Sequence, residues 1–438
     1  MKRHTLAILS SLVIVALSPH NSLAGGFQRM DAASGYLGTA GAGQATDTSV
    51  SAAFNNPAGL AGLETTDLYL GAIIGYDSFS FYDDGSEGIS PGFENLRRDG
   101  VDYGLGWSGG PALYFAHPLS EKTTIGFAMM SPFGGGADFG EDWVGSHFSE
   151  EAKIFTVQAS ASVGYQLSDT WSIGAALGAQ YLKWKLNVDL PPAPYGPVNP
   201  GHIPPEHPMY AQLLPPGSEE DIKIDDVQPY WSLGIQWQPN ERTSLGLRYI
   251  PEINFDLDGD ADIMAPIPDM TIVQSFNANM EMATPSVTTL SLRQQLTSRW
   301  TLLADIEHLG WSAWKENRVF HEGGETVVIE RNWQNSMGYS LGFHFQATPK
   351  TLLKFGLGYD ESPVASDNMK VDPPMDRQIG YSLGIDTQLT DRIRLIAAYQ
   401  YLDMGDVKVE QTVFPGQVIR GHSDAYCHVF HAGLSFSF

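Results

Sequence analysis

The stretch "YCHVFHAGLSFSF", residues 426–438, alternates residue by residue between two kinds of side chain. One set is large and mostly apolar and includes Tyr426, Phe430 and Phe438, whereas the other is mostly small or polar and includes Ser437. Consecutive side chains of a β-strand point to opposite faces, so this period of two predicts a strand. A soluble-protein strand usually has ~5–6 residues, and a tilted strand crosses a bilayer with ~9–11. The segment therefore predicts a membrane-spanning strand whose apolar face contacts lipid.

The same alternation recurs along the chain. It is clear in "TVQASASVGY" at 156–165, "WSLGIQW" at 231–237 and "RIRLIAAYQY" at 392–401. Short joints such as "PLSEK" and "QPNER" alternate with long ones, for example near 189–221 and 258–280. Short turns at one rim and long loops at the other are typical of outer-membrane barrels. The sequence therefore predicts an all-β fold, a transmembrane antiparallel β-barrel of about 14 strands, closed because an unpaired edge is costly in hydrocarbon.

The motif Gly-x-Ser-x-Gly occurs twice, as "GYSLG" at 338–342 and at 380–384. This is the spacing of the nucleophile elbow of serine hydrolases, which needs a sharp turn from strand to helix. Here the alternation of large and small residues continues straight through both serines. We therefore interpret the motif as small inward residues separated by large outward ones, and predict that the chain is not an enzyme.

The N-terminus has the features of an export signal. Lys2 and Arg3 precede an apolar run at 6–17, and "SLA" at 22–24 offers a small-residue cleavage site. We predict that residues 1–24 are a signal peptide. The alternative is an uncleaved anchor, for which the apolar run is short.

Composition excludes several classes of protein. The net charge of −25 argues against nucleic-acid binding, which needs clustered Lys and Arg. The single cysteine, Cys427, leaves no internal disulfide. His428 and His431 are three residues apart and so lie on opposite faces of a strand, which excludes a shared metal ion. No cofactor and no metal site are predicted.

Residues 25–65 differ from the rest, because they are rich in Ala, Gly and Ser and lack the alternation. Within them "NNPAGL" suits the start of a helix, with Asn56 as its cap and Pro57 in the first position. We predict a small, partly helical plug at 25–65 inside a barrel formed by 66–438. The alternative is a tail in the periplasm.

This N-terminal segment resembles the FadL/TodX-type (OMPP1) family of outer-membrane transporters of long-chain fatty acids and other hydrophobic compounds. The resemblance rests on "GGFQ" at 25–28, "GYLGTAGAGQA" at 35–45, and the hatch motif Asn56, Pro57 and Ala58. It implies a fourteen-stranded barrel closed by an N-terminal hatch. It also implies a ligand pocket near the N-terminus, a hydrophobic groove between two long loops, and a kinked third strand that opens the wall sideways.

Candidate ligand-binding residues follow from the resemblance and from two unusually apolar loops, since exposed apolar loops normally cover each other or a ligand. The pocket would include Phe27. Lys183 aligns with a basic position of the family's pocket, although alternation points it outward, so this role requires a twist or a bulge. The loop residues are Met209, Tyr210, Leu213, Leu214, Met264, Ile267, Met270, Ile272, Val273 and Phe276. The alternative is that the two loops only cap the barrel.

The third strand, "TTIGFAMMSPFGGGADFG" at 123–140, is interrupted at a proline that cannot donate to the ladder and is followed by three glycines. The predicted lateral opening consists of Ser131, Pro132, Phe133 and Gly134. Alternation also turns a set of charged residues inward, where they would pair with each other and hold the plug. These lumen charges are Arg248, Arg293, Asp305, Glu307, Lys354 and Arg394.

Together these features predict passive uptake of hydrophobic molecules, foremost long-chain fatty acids, across the outer membrane of a Gram-negative cell. Apolar loops would capture the ligand, and the strand-three defect would release it laterally. The alternatives are a plugged barrel that serves as a surface receptor or adhesin, a water-filled porin, and an aromatic hydrocarbon channel. The predicted partners are the ligand, outer-membrane lipid including lipopolysaccharide, and the barrel-assembly machinery acting on C-terminal Phe438. The protein is predicted to be a monomer.

Overall fold

The computed structural model describes residues 35–87, 98–140, 143–190, 217–267, 270–321, 327–371, 374–412 and 418–438. The strands in these ranges are β1 Asp67–Asp83, β2 Asp99–Asp102, β3 Gly106–Ser120, β4 Thr123–Met130, β5 Gly134–Asp138, β6 Glu151–Gln166, β7 Trp171–Leu190, β8 Ser218–Asn240, β9 Thr243–Ile250, β10 Ile253–Ile267, β11 Met270–Thr284, β12 Val287–Gln295, β13 Trp300–Leu309, β14 Glu316–His321, β15 Val327–Glu330, β16 Ser336–Thr348, β17 Thr351–Asp360, β18 Gln378–Gln388, β19 Ile393–Thr412 and β20 Val418–Ser437. One α-helix, α1 at Ala52–Asn55, is accompanied by 3₁₀ turns at Leu37–Thr39, Gln44–Thr46, Pro57–Leu60, Trp311–Ala313 and Ser366–Asn368.

The strands form one closed antiparallel sheet. Closure is made by β1 and β20, whose register continues without a break from Asp67↔Ser437 to Asp83↔Gly421. The 20 strand segments form a wall of 14 strands, because several wall strands are interrupted and each of these consists of two segments. Three of the interruptions fall at Pro132, Pro251 and Pro285, and proline supplies no N–H to a ladder. The predicted fourteen-stranded barrel is confirmed.

The two faces of the wall differ as the alternation predicted. Outward leucines such as Leu177 and Leu383 are 69% and 56% exposed, whereas inward Ser382 is buried. Both Gly-x-Ser-x-Gly segments lie inside the uninterrupted strands β16 and β18, with no helix after either serine. At the C-terminus His431 is buried in the lumen wall and His428 faces outward, so the predicted separation of the two histidines is confirmed.

Aromatic side chains form two belts on the outer surface. The belt near the short turns includes the stacked pair Trp171–Trp237 and the pair Trp300–Phe345, with ring centroids 5.6 and 4.6 Å apart. The other belt, nearer the long loops, includes Tyr76, whose ring lies 5.2 Å from that of Trp107. Two aromatic girdles flanking an apolar band mark the two membrane interfaces of an outer-membrane barrel.

Among the described residues, no helix combines the length and the apolar character needed to cross a membrane.

The long loops are more regular than the sequence indicated. Residues 258–280 were expected to form an irregular loop, but β10 and β11 continue through them as a hairpin, with pairs running from Ile253↔Thr284 to Ile267↔Met270. Similarly, β7 runs to Leu190. Cross-strand hydrogen bonds satisfy the backbone of these extensions beyond the bilayer, which explains why strands persist there.

Candidate functional site

The N-terminal segment, described from residue 35, lies inside the barrel, and we call residues 35–64 the hatch. Its Asn56-Pro57 step has the predicted geometry: the Asn56 side chain accepts a hydrogen bond from the Ala58 N–H at 3.1 Å, and Pro57 opens a short 3₁₀ helix. The Asn56 amide also donates to the carbonyl oxygens of Ala45, Ile235 and Leu247 at 2.7, 3.3 and 3.4 Å. One asparagine therefore caps a helix and ties the hatch to β8 and β9.

A carboxylate on β13 fixes a second point of the hatch. Asp305 accepts hydrogen bonds from the backbone N–H groups of Gly43 and Gln44 at 2.6 and 3.2 Å. Next to it, Ser291 of β12 accepts from the Ala45 N–H at 2.8 Å. These bonds satisfy consecutive backbone donors of a turn that would otherwise be buried without partners.

The other predicted lumen charges also point inward. Lys354 donates to the Gly35 carbonyl at 3.2 Å, and Arg248 donates to the Phe54 carbonyl at 3.4 Å. The Nη2 atom of Arg248 lies 4.0 Å from Oε2 of Glu307. Arg394 pairs with Asp386 at 3.1 Å, and Arg293 lies on the inward face of β12 near Tyr36. Arg248, Asp305 and Lys354 therefore hydrogen-bond to the hatch, whereas Arg394 pairs within the wall.

Glycines in the wall make room for the hatch. A Cβ added to Gly174 would overlap the backbone of Pro57 and Ala58, and one added to Gly246 would overlap the backbone of Ala45. A Cβ at Gly356 would overlap the backbone of Thr39. Only residues without a side chain allow two backbones to approach this closely.

The third wall strand is broken where the sequence predicted. β4 ends at Met130, Ser131 and Pro132 leave the sheet, and β5 begins at Gly134. The turned-in Phe133 is 4% exposed. Thr156 holds it, since the Thr156 hydroxyl accepts from the Phe133 N–H at 3.0 Å and donates to the Phe133 carbonyl at 2.5 Å. Two hydrogen bonds therefore fix the conformation of the chain at the break.

Opposite this break, the wall lacks a ladder. β3 pairs with β1 from Gly106 to Ala116, but its pairing with β4 begins only at Leu113↔Met129. In the part of the chain that the structure describes, Gly106–Ala112 has no strand partner on that side. Above, the Asp138 N–H donates to the Tyr103 carbonyl at 2.8 Å and closes the interruption. We call the region between Gly106–Ala112 and Ser131–Ala137 the wall gap.

The two sides of the wall gap lie close together although no strand ladder joins them in the described chain. A Cβ built on Gly110 lies 3.5 Å from the Ser131 Cβ, an ordinary van der Waals distance. Trp107 of the outer aromatic belt lies on the gap's edge and is 68% exposed. The gap therefore lies in the outer-leaflet half of the wall, where separation of two unpaired segments would open a passage to lipid.

Inside the barrel, Phe133 touches a group of tryptophans that we call the tryptophan pocket. Its ring centroid is 6.1 Å from that of Trp311. Trp311 lies 4.8 Å from Trp333, and Trp314 lies 4.4 Å from Trp333 and 5.9 Å from Trp184. All four indoles are at most 7% exposed.

A buried cation belongs to the same pocket. The Arg331 guanidinium carbon lies 5.3 Å from the Trp314 ring and 5.9 Å from the Trp184 ring, within cation–π range. Its Nε donates to the Asn317 side chain at 2.6 Å. Small-molecule sites are lined mostly by hydrophobic and aromatic side chains with a few placed polar groups, and this group of residues has that composition.

Sequence reasoning did not identify this pocket. Trp311, Trp314 and Trp333 lie within 23 residues of each other, in a segment for which we predicted no ligand-binding residue. That local density of tryptophan was the available signal, because buried indoles concentrate binding energy.

Several predicted ligand residues are not part of this pocket. Lys183 is exposed on the outer face of β7, whose pairing with β6 and β8 shows no bulge that could turn it inward. Its predicted pocket role is therefore wrong, and simple alternation gave the correct direction. In the β10–β11 hairpin, Phe276 shares a face with buried Ala261, whereas Met264 and Val273 lie on the opposite face.

Other predicted residues lie outside what the structure describes. These are Phe27, Met209, Tyr210, Leu213 and Leu214, together with the side chains of Ile267, Met270 and Ile272.

The segment 143–149 covers the upper end of the wall gap. Trp143 stacks on Phe139 at 3.9 Å, and its indole N–H donates to the Ser149 carbonyl at 2.8 Å. His147 lies in the same segment at 5% exposure, and burial lowers its pKa to about 4. The neutral imidazole is therefore the form that the closed segment accommodates.

This histidine predicts a pH-dependent opening. An unfolded histidine has a pKa of about 6.5, so the open segment binds the proton more readily than the closed one. The closed form keeps its full stability above about pH 6.5 and loses up to ~3 kcal/mol as the pH falls toward 4. Amide hydrogen exchange of residues 143–149 should accelerate over that range relative to the chemical exchange rate. A His147→Leu variant should respond much less, and equal responses in both proteins would contradict the assignment to His147.

Comparison with known proteins identifies the family to which the chain belongs. Residues 15–438 match the family model described as outer membrane protein transport protein (OMPP1/FadL/TodX). The chain is 21% identical to a long-chain fatty acid transport protein of Escherichia coli O6:H1, covering 93% of this chain and 94% of that one. It is also 21% identical to outer membrane protein P1 of Haemophilus influenzae, over the whole of both chains.

Solved structures share the fold. A Pseudomonas aeruginosa FadL homologue superposes with a TM-score of 0.80 at 20% identity, covering 96% of this chain and 100% of that one. The Pseudomonas putida toluene transporter TodX gives 0.71 at 17% identity, covering 95% and 99%. The closed barrel and the outer-membrane relatives place this protein in the outer membrane of a Gram-negative cell. The chain belongs to the OMPP1/FadL/TodX family of outer-membrane transport proteins.

Proposed function

We propose that the protein imports hydrophobic molecules, foremost long-chain fatty acids, from the cell exterior into the outer membrane without an energy source. Apolar segments of the long loops capture the ligand, the tryptophan pocket holds it, and the wall gap releases it sideways. The hatch stays in place beneath. The observation that carries the proposal is the contact between Phe133, at the wall gap, and Trp311, in the pocket.

The driving force is partition of the ligand's apolar surface. Each CH₂ transferred from water to an apolar phase contributes ~0.8 kcal/mol, so a long alkyl chain favours the bilayer strongly. The protein therefore needs only to provide a path for the ligand across the polar outer surface of the membrane. The buried positive charge of Arg331 among the indoles supports a ligand with an anionic head group.

The hatch supports lateral release over passage straight through the barrel. It is joined to the wall by several hydrogen bonds, and the one that the Gly43 N–H donates to Asp305 measures 2.6 Å. Neutral hydrogen bonds contribute ~0.5–1.5 kcal/mol each and those to charged groups ~1.5–3, so displacement of the whole hatch costs many kcal/mol. Separation of the Gly106–Ala112 segment from the Ser131–Ala137 segment breaks no strand ladder of the described chain.

The test is uptake of oleate by vesicles that contain the purified protein. Wild type should exceed protein-free vesicles, and Trp311→Ala should lower uptake at limiting oleate by about tenfold, since a truncated indole loses well over 1.4 kcal/mol of contact. Trp171→Ala removes an indole from the outer aromatic belt and is the matched control, with uptake near wild type. Equal uptake by wild-type and protein-free vesicles would eliminate transport and favour the receptor or adhesin alternative.

Aromatic hydrocarbons are the second candidate substrate class. The indoles of Trp314 and Trp333, 4.4 Å apart between centroids, offer faces and edges to a small aromatic ring as readily as to an alkyl chain. The same vesicles distinguish the two classes when radiolabelled toluene replaces oleate. Saturable toluene uptake that oleate does not inhibit would favour the hydrocarbon channel.

Three further expectations belong to this proposal. The protein acts as a monomer, it contacts lipopolysaccharide, and the barrel-assembly machinery recognises its C-terminus. The terminal Phe438 is 70% exposed, and its backbone N–H donates to the Thr66 carbonyl at 2.9 Å. The last residue is therefore fixed at the periplasmic rim with its side chain accessible.

A further inference from the structure

Five polar side chains form one patch on the lumen face of three neighbouring strands, β6, β7 and β8. They are Gln158, Ser160, Gln180, Tyr230 and Ser232, and we call them the amide patch. Gln158 and Gln180 are direct cross-strand partners. Each of the five residues is at most 2% exposed, so the patch is enclosed in the interior and is not part of an open aqueous surface.

The backbone brings the members of the patch together. Tyr230 of β8 stands opposite Gly178 of β7, and a glycine places no side chain between the phenol and β6. The Tyr230 hydroxyl consequently faces Gln158 as well as its own strand neighbour Ser232. Three strands thus contribute to a single polar surface.

The patch has hydrogen-bonding capacity that the described protein atoms leave unused. Nε2 of Gln180 and Oγ of Ser160 make no hydrogen bond to another described atom, whereas Gln158 and Ser232 lie within hydrogen-bonding reach of the Tyr230 hydroxyl. Buried amide and hydroxyl groups in native proteins are nearly always paired with protein, water or ligand. Two such atoms on one enclosed surface indicate a place where a polar group binds.

The chemistry of the patch favours an acceptor. Each Gln amide offers two N–H donors, and the hydroxyls add further donors. Arg248, fully buried, lies close to Tyr230 and donates to the Phe54 carbonyl of the hatch. Arg248 is thus already engaged by the hatch and by Glu307, and it is the neutral donors of the patch that suit a carboxyl or hydroxyl head group and offer nothing to a hydrocarbon.

The position of the patch connects it to the proposed path. Gln158 pairs with Met130, the last residue before the wall break, and the next inward residue of β6 is Thr156, which holds Phe133. On β7, Trp184 lies on the same face as Gln180, four residues and therefore ~13 Å further up. A head group on the patch would leave its chain level with the wall gap and below the tryptophan pocket.

We propose that the amide patch is a second head-group site, specific for amphiphiles with a carboxylic acid or alcohol head. The head descends from the tryptophan pocket to the floor above the hatch, where neutral donors hold it while the chain leaves through the wall gap. Hydrogen bonds to uncharged donors are weaker than ion pairs, so the site retains the ligand loosely enough for release. This inference rests on the proposed function for its route, but binding can be measured without transport.

The experiment compares two ligands of equal length, radiolabelled oleate and 1-octadecene, bound to the purified full-length protein in detergent. Gln158→Glu keeps the volume and places a carboxylate on the patch, so oleate should bind about tenfold more weakly while 1-octadecene changes by less than about twofold. The double variant Gln158→Leu/Gln180→Leu should also lower the preference for oleate over 1-octadecene. Gln294→Leu, a change of the same type at the short-turn rim, should leave the preference unchanged.

Heat-modifiable migration in gel electrophoresis establishes that each variant is a folded barrel. If folded Gln158→Glu and the double variant both keep the wild-type preference for oleate, the amide patch is not a head-group site. Vesicle uptake with the same proteins separates the two proposals. A loss of preference together with wild-type vesicles that take up no oleate would support the site and refute transport.

Discussion

Two cysteines placed across the wall gap, Gly110→Cys and Ser131→Cys, should stop ligand uptake when they are oxidised and restore it when they are reduced. The distance between their Cβ positions is 3.5 Å, at the short end of the ~3.5–4.5 Å found in disulfides. No ladder hydrogen bond joins the two segments, so their separation is the least costly way to open the wall. A covalent bond forbids that separation, and uptake should fall to the rate of protein-free vesicles.

The experiment is made in a Cys427→Ser background, because Cys427 is the only native thiol. Each single cysteine variant should transport normally under both redox conditions, which controls for the loss of Gly110 and of Ser131. The oxidised pair should still bind oleate in detergent, since the tryptophan pocket is untouched. Undiminished uptake by a fully oxidised pair would mean that the ligand leaves by another route, and passage beside the hatch would then be the first alternative to test.

Local backbone chemistry made the wall gap predictable from the sequence. Pro132 cannot donate to a ladder, and its position in an otherwise alternating strand identified the break to the residue. The same reasoning correctly assigned Asn56 as a helix cap and Pro57 as the first helical residue. These predictions were accurate because each depends on one or two neighbouring residues and a strict steric or hydrogen-bonding rule.

Barrel closure and the strand count were also predictable, because a lipid-facing wall forces alternation on every strand. The same rule decided between two predictions for Lys183: alternation pointed it outward, the family alignment pointed it inward, and the structure places it outward. At 17–21% identity to the proteins compared, the alignment of a single basic residue predicts the direction of its side chain less well than the alternation along an uninterrupted strand does.

The ligand path was less predictable because its residues come from distant parts of the chain. Trp184 on β7 contacts Trp314, which lies well over a hundred residues later in the chain. No local sequence periodicity predicts such a contact. The amide patch was equally hidden, since Gln and Ser at alternating positions are what any polar lumen face contains. Their burial and their convergence across three strands became apparent only from the packing.

The second large effect concerns the hatch. Gly174→Ala should convert a closed barrel into an ion-conducting pore, because the added Cβ would occupy the space of the Pro57 and Ala58 backbone. The added Cβ overlaps backbone atoms of the hatch, and no rotation of a side chain can relieve that overlap. The hatch itself must therefore move. Asn56 would then lose its hydrogen bonds to β8 and β9, which together contribute a few kcal/mol. Wild-type protein in a planar bilayer should show no stable channel, whereas the variant should show stepwise conductance.

The matched control is Gly75→Ala, an inward glycine on β1 whose added Cβ would come no closer than 3.5 Å to any neighbour, the Ser108 hydroxyl. Both variants lose one lumen-facing glycine from a strand, but only Gly174 contacts the hatch. Gly75→Ala should therefore remain as tight as wild type, and both proteins should keep heat-modifiable migration as folded barrels. If folded Gly174→Ala also remained non-conducting, the close fit between the wall glycines and the hatch could not be what seals the lumen. The polar bonds to Asp305 and Lys354 would then have to hold the hatch in place by themselves.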